Sequence, residues 1–242
     1  MDQQTRHALK HDQFVDSTAH GLEWASENRR SILVNGGIVL AVLVAIVVAA
    51  LVYSHRSDQA ALAFGDAMQA YQTPIAPQGQ PVPPGVKTYP SSAERAKAAN
   101  KLFTQVADHY GMTPSGRLAR YFAGLTYIDA GQNASAEAAL KDLSGSWDRD
   151  ISSLAKLALA HLYRQTGRTQ QAIDLYNELT AKPSNTVPAG TAQLQLAELY
   201  ENQNQPEQAR KIYAQLKDKD AKGAAGVIAA QKLNPSASGP AF

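Results

Sequence analysis

Hydrophobic positions follow two patterns along the chain: one uninterrupted apolar run, and after it a series of amphipathic segments with helical spacing. The run covers residues 32–53, ILVNGGIVLAVLVAIVVAALVY, where Asn35 is the only strongly polar side chain. At about 1.5 Å per residue, a helix of this length covers a hydrocarbon core of about 30 Å. The pattern therefore predicts one transmembrane helix.

Two alternatives to a membrane span are weaker. A core helix of a globular protein has a polar face, and residues 38–52 have none. A secretory signal has only a few residues before its apolar core, whereas about 30 precede this run, and no clear small-x-small cleavage site follows it. We therefore predict an uncleaved anchor.

Basic residues on either side of the span predict its orientation. Arg6, Lys10, Arg29 and Arg30 precede it, and only Arg56 follows closely. Because Lys and Arg accumulate on the cytoplasmic side, the amino terminus is expected in the cytoplasm. The prediction is a single-pass protein of the bacterial inner (plasma) membrane that contacts lipid through residues 32–53, with its carboxyl-terminal domain in the periplasm.

The predicted cytoplasmic tail, residues 1–31, contains one amphipathic helix, since Phe14, Leu22 and Ala25 recur with helical spacing. The helix either docks a partner or rests on lipid headgroups. His7 and His11 stand four residues apart, but no third ligand lies nearby, so solvated side chains are favoured over a metal site.

Three segments beyond the span are similar to one another and align without gaps, starting at residues 118, 154 and 191. The aligned positions are Tyr127, Tyr163 and Tyr200; Gly131, Gly167 and Asn204; Ala136, Ala172 and Ala209; and Leu143, Leu179 and Leu216. Each unit predicts a helix, a turn with a left-handed residue, and a second helix. The G/A-x-x-Y, turn, A-x-x-x-L/Y-x-x-L pattern resembles the tetratricopeptide repeat, although another helical array is an alternative.

The predicted fold class is all-α, one transmembrane helix followed by a tetratricopeptide-repeat α-solenoid. Residues 117–219 form three repeats, and 54–116 a split first repeat whose helices, 58–71 and 92–110, are separated by a proline-rich insert at 73–90. Residues 220–233 predict a capping helix, and 234–242 a disordered tail.

Composition and motifs argue against catalysis. The net charge of +2 does not favour nucleic acid as a partner, and the absence of cysteine excludes thiol chemistry, disulfides and thiolate metal sites. No metalloprotease, phosphate-loop, nucleophile-elbow or dinucleotide motif occurs. We therefore predict no enzyme, with no catalytic residue, cofactor, metal or small-molecule substrate.

Stacked repeats normally place their first helices on a concave surface. Counting from the aligned tyrosines assigns seven candidate protein-binding residues to it: Tyr121, Leu125, Ile128, His161, Arg164, Glu198 and Glu201. This face is apolar in the first unit and acidic in the third, which suits extended polypeptide or a folded protein better than a carboxylate clamp. Simple solvated helix faces are the alternative.

The whole order of segments, with W-x-x-x-N-R (Trp24, Asn28, Arg29) before the span, resembles the ancillary Sec translocon subunit family of Gram-negative bacteria. The resemblance implies a protein beside the SecYEG channel that links exported chains to periplasmic chaperones. Its implied partners are translocon subunits, chaperones or exported polypeptide. A scaffold that coordinates envelope assembly or cell division is a second hypothesis.

Overall fold

The computed structural model describes residues 28–76, 85 and 87–234. The predicted tail helix, with His7 and His11, most of the proline-rich insert, and the tail from residue 235 lie outside the described residues. The helices described are α1 (Arg29–Gln72), α2 (Ser92–Tyr110), α3 (Pro114–Asp129), α4 (Asn133–Ser144), α5 (Arg149–Gln165), α6 (Thr169–Ala181), α7 (Ala189–Asn202), α8 (Pro206–Lys219) and α9 (Ala224–Leu233). The predicted all-α class is confirmed.

Helix α1 contains the apolar run and continues to Gln72 without a break. The sequence suggested two separate helices, but the intervening residues 54–57, SHRS, include no glycine or proline that would end a helix. By length and composition α1 can cross a membrane, and none of its apolar window is buried, which disfavours a core helix. Contacts divide the chain into two units, Met1–His55 and Arg56–Phe242.

The second unit contains three helical hairpins, α3 with α4, α5 with α6, and α7 with α8. Each hairpin turns at a residue with positive φ: Gly131 at 75°, Gly167 at 74° and Asn204 at 59°. At each turn a backbone N–H donates to the carbonyl of the aligned tyrosine five residues earlier, at 2.8 to 2.9 Å. These bonds satisfy carbonyls at the end of the first helix, and the predicted left-handed turns are confirmed.

Small residues allow the two helices of each hairpin to approach closely. Ala136, Ala172 and Ala209 are buried at the predicted positions. At Gly124, an added Cβ would lie 2.7 Å from Leu140 Cδ2, closer than real side chains pack. Glycine at this position therefore suits the close packing of the two helices rather than a turn.

A polar cluster joins the first hairpin to the second. Glu137 of α4 accepts hydrogen bonds from Lys141 Nζ at 2.7 Å, Arg168 Nη1 at 2.7 Å and Tyr163 Oη at 3.1 Å. The Arg168 guanidinium also lies 4.2 Å from the centre of the Tyr163 ring. These contacts, led by the bonds from Lys141 and Arg168, lower the pKa of Glu137 to about 2.

Before the first hairpin, the end of α1 packs against α2 and α3 through aromatic side chains. Phe64 lies 5.7 Å from both Phe103 and Phe122 between ring centres, and Phe103 stacks on Phe122 at 5.2 Å. The ends of the proline-rich insert are paired, because Ala76 N donates to Tyr89 O at 2.8 Å and Tyr89 N to Pro74 O at 3.0 Å. Residues 74–76 and 89 thus bring α1 and α2 together across the insert.

At the other end of the array, α9 packs on α7 and α8 through Ala229, which contacts the buried side chains of Ala197 and Tyr213. Ala229 is fully buried, while Val227 and Ile228 of the same helix are exposed. Helix α9 therefore covers the apolar surface that α7 and α8 leave open.

Candidate functional site

A groove of about 210 Å³ lies between the first helices of successive repeats. Its lining comes from α1, α3 and α5: Tyr71, Tyr121, Leu125, Ile128, Asp129, Leu157, Ala158, His161 and Gln165. Tyr121, Leu125, Ile128 and His161 are four of the seven residues that the sequence placed on the binding face. The groove is thus a physical cavity on the face selected by the repeat pattern.

The floor of the groove is apolar. Tyr121, Leu125, Ile128 and Leu157 are half-buried and pack on the core formed around α5. Burial raises the pKa of Tyr121 above its ordinary value, which makes its phenol still harder to ionise. A floor of this kind gains most from an apolar side chain, since water is displaced from both surfaces.

The rim beside α1 is polar. Tyr71 Oη donates to Asp129 Oδ2 at 3.1 Å, across a sequence separation of 58 residues. The Arg95 guanidinium lies 5.7 Å from the centre of the Tyr71 ring. Burial, with the carboxylate of Asp129, raises the pKa of Tyr71. The Tyr71 contacts fix the end of α1 as one wall of the groove.

Hydrogen bonds lead from the groove to the next repeat through His161. Its Nε2 donates to Gln195 Oε1 at 2.9 Å, and Gln195 Nε2 donates to Glu198 Oε2 at 3.2 Å. Burial, the main effect, lowers the pKa of His161, which favours the neutral imidazole. The groove is therefore bordered by neutral polar groups on α5, and the first negative charge beyond them is Glu198.

The remaining predicted residues lie beyond the groove lining. Arg164 is half-buried and close enough to His161 to lower its pKa further. Glu201 is exposed, and its Oε2 lies 3.1 Å from Lys232 Nζ of α9. The acidic end of the predicted face is thus partly neutralised by α9, a contact that repeat alignment alone does not reveal.

Several groove residues were missed by reasoning from the sequence. Leu157 and Gln165 lie one helical turn on either side of His161, so the spacing of four residues could have identified them. Asp129 follows Ile128 directly and could also have been found. Tyr71 had no such signal, because the insert separates its helix from the repeats.

The described residues include no group of three or more His, Asp or Glu side chains that could hold a metal ion. The lining of the groove instead combines an apolar floor with hydrogen-bonding groups on Tyr71, Asp129, His161 and Gln165, a combination that suits recognition of a partner.

A family model described as a tetratricopeptide repeat-like domain matches residues 23–234. No curated protein and no solved structure matches the chain.

Proposed function

Because the chain belongs to the tetratricopeptide repeat-like domain family, we propose that it is a membrane-anchored scaffold that binds other proteins and catalyses no reaction. Helical repeats present long surfaces that suit extended or folded polypeptide. The apolar segment of α1 supplies the proposed anchor.

The groove is the proposed binding site. The observation that supports it is that residues of two successive repeats, Leu125 of α3 and His161 of α5, border one cavity with Tyr71 of α1, and that this cavity has an apolar floor. Its volume accommodates a large apolar side chain of a partner, and the carboxylate of Asp129 and the amide of Gln165 are placed to bond the partner's backbone. The proposed surface continues from the groove to Glu198 on α7.

The finer proposal concerns the partner. The order of tail, span and repeats, with its resemblance to the ancillary Sec translocon subunit family, supports an accessory role beside SecYEG. The repeat unit would then lie in the periplasm, where its groove would take a segment of an exported chain or of a chaperone. The excess of basic residues before the span supports this orientation.

Site-specific photocrosslinking in cells tests the proposal. A photoreactive amino acid at Leu125 is expected to capture translocon subunits, periplasmic chaperones or exported polypeptide. The matched control is Ala138, which is exposed on the second helix α4 and lies outside the groove. Equal capture from both positions would contradict the groove as the site, and capture of division or cell-wall proteins from Leu125 alone would replace the export role with envelope coordination.

Two groove variants add a quantitative test on the partner so identified. Leu125→Ala removes part of the floor, and Gln165→Arg places a larger, charged side chain on the exposed rim. Each is expected to weaken binding by about 10-fold or more, the range of residues central to an interface. Gln165→Arg guards against misfolding because its side chain is exposed, so unchanged binding with this variant, at unchanged thermal stability, would refute the groove.

A further inference from the structure

Two large side chains in adjacent loops of the repeat unit are almost completely exposed. Met112, between α2 and α3, is 85% exposed, and Trp147, between α4 and α5, is 86% exposed. An indole in water has its N–H hydrogen-bonded but leaves its apolar ring unburied, so the side chain favours an environment with apolar and wet regions side by side. The pair therefore requires an explanation that packing within the repeat unit does not supply.

Arg117 of α3 holds the two loops together. Its guanidinium lies 5.3 Å from the centre of the Trp147 ring, its Nη1 donates to Met112 O at 3.2 Å, and its Nη2 lies 3.4 Å from Asp148 Oδ2. Asp148 in turn accepts from the backbone N–H groups of Asp150 and Ile151 at the start of α5. Met112 and Trp147 thus project from an ordered surface, which we call the Trp147 edge.

The Trp147 edge includes the part of the repeat unit that is joined to the apolar run. Arg56 opens this unit, and its Nη2 donates to His109 O at 2.8 Å, in the last turn of α2. Tyr110 O then accepts from Thr113 N, which closes the turn that carries Met112. Arg56 follows Tyr53, the last residue of the run, by three positions, a reach of at most about 11 Å even for a fully extended chain.

We propose, on the basis of the membrane anchor put forward above, that the Trp147 edge contacts the headgroup region of the bilayer that this anchor would span, with Met112 and Trp147 entering the interface between headgroups and acyl chains. Tryptophan is enriched at this depth because its ring is amphipathic. Lipid is favoured over a protein partner because Arg56, which donates to His109 O at this edge, follows the apolar run by only three residues. The proposed contact does not depend on which side of the membrane the repeat unit occupies.

The full-length chain suits a fluorescence test because it contains two tryptophans. In a Trp24→Phe background, Trp147 is the single reporter. The protein is reconstituted into vesicles of phosphatidylethanolamine and phosphatidylglycerol, with and without lipids brominated near the top of the acyl chain, which quench only tryptophan at that depth. The matched control carries Trp24→Phe, Trp147→Phe and Gln132→Trp, which moves the reporter to the exposed loop between α3 and α4, at the opposite end of α3.

Trp147 emission is expected to shift to shorter wavelength in vesicles relative to detergent, and to fall by about half or more with brominated lipid. The Gln132→Trp reporter should show neither change. Equal quenching of the two reporters, or no quenching of Trp147, overturns the proposal. A shift of Trp147 that appears only when other membrane proteins are present would also overturn it and assign the edge to a protein partner.

Discussion

Glu137 connects two repeats through one carboxylate, so its charge makes a measurable contribution to the stability of the array. In Glu137→Gln the side chain keeps its shape and loses its negative charge, and one of the two oxygens that accept from Lys141, Arg168 and Tyr163 is replaced by an NH2 donor. We expect the variant to unfold more easily at neutral pH.

The magnitude follows from the pKa of Glu137, which falls from 4.5 in a free side chain to about 2 in the folded chain. At about 1.4 kcal/mol for each pH unit, this difference corresponds to about 3 kcal/mol. Lys141 approaches from solvent, with 58% of its side chain exposed, so screening reduces the contribution. A loss of about 1–2 kcal/mol in the free energy of unfolding is the expected result.

The pH dependence gives the sharper test. Because the folded chain binds the proton of Glu137 less tightly than the unfolded chain, the stabilisation is complete above about pH 4.5 and is lost as the pH falls towards 2. Urea unfolding of the full chain in detergent, followed by circular dichroism, should therefore show a gap between wild type and Glu137→Gln that closes over this range.

Asp218→Asn makes the same charge change at an exposed position on α8 and should alter stability by only a few tenths of a kcal/mol. A gap for Glu137→Gln that is equally large at pH 2 and pH 7, or no larger than that of the control, would refute this account of the cluster.

Two further predictions, one on the turns and one on a close helix contact, can be checked by the same unfolding measurement. Gly131→Ala should lower the free energy of unfolding by about 1–2 kcal/mol, because φ is 75° there and alanine is strained in this region. Asn204→Gly should leave the free energy of unfolding unchanged or raise it by up to about 1 kcal/mol, because glycine adopts a φ of 59° without strain. A destabilised Asn204→Gly with an unaffected Gly131→Ala would contradict the turn assignment. Gly124→Ala should destabilise the fold by about 1 kcal/mol. The overlap with Leu140 costs about 1–3 kcal/mol, and the better helix propensity of alanine offsets about 1 kcal/mol of it. A stabilised variant would show that Leu140 moves aside freely.

The repeats could be predicted from the sequence because their signals are local. The turn residues Gly131, Gly167 and Asn204 and the small residues Ala136 and Ala172 lie at fixed offsets from one another, and each offset corresponds to one physical requirement, a left-handed backbone or a close helix contact.

The groove could be predicted only in part because it depends on contacts between distant segments. The period of α3 and α5 placed Leu125 and His161 on one face, but the wall provided by Tyr71 arises from an aromatic cluster that forms across the proline-rich insert. The pairing of Glu201 with Lys232 was likewise unforeseen, since α9 does not follow the repeat register. The proposed lipid contact of Trp147 has no periodic signal in the sequence and rests on the exposure of this side chain in the folded chain.

Two backbone hydrogen bonds join Pro74 and Ala76 to Tyr89 at the base of the proline-rich insert. They make the structure of the groove independent of the sequence of the insert. Because these backbone bonds close the segment at its base, the position of Tyr71 does not depend on what the residues beyond the bridge contain. Loop-closure entropy changes slowly with loop length, so this segment can be lengthened, shortened or replaced while the groove is kept. The insert is thus a point at which evolution can add a new recognition element to an unchanged scaffold.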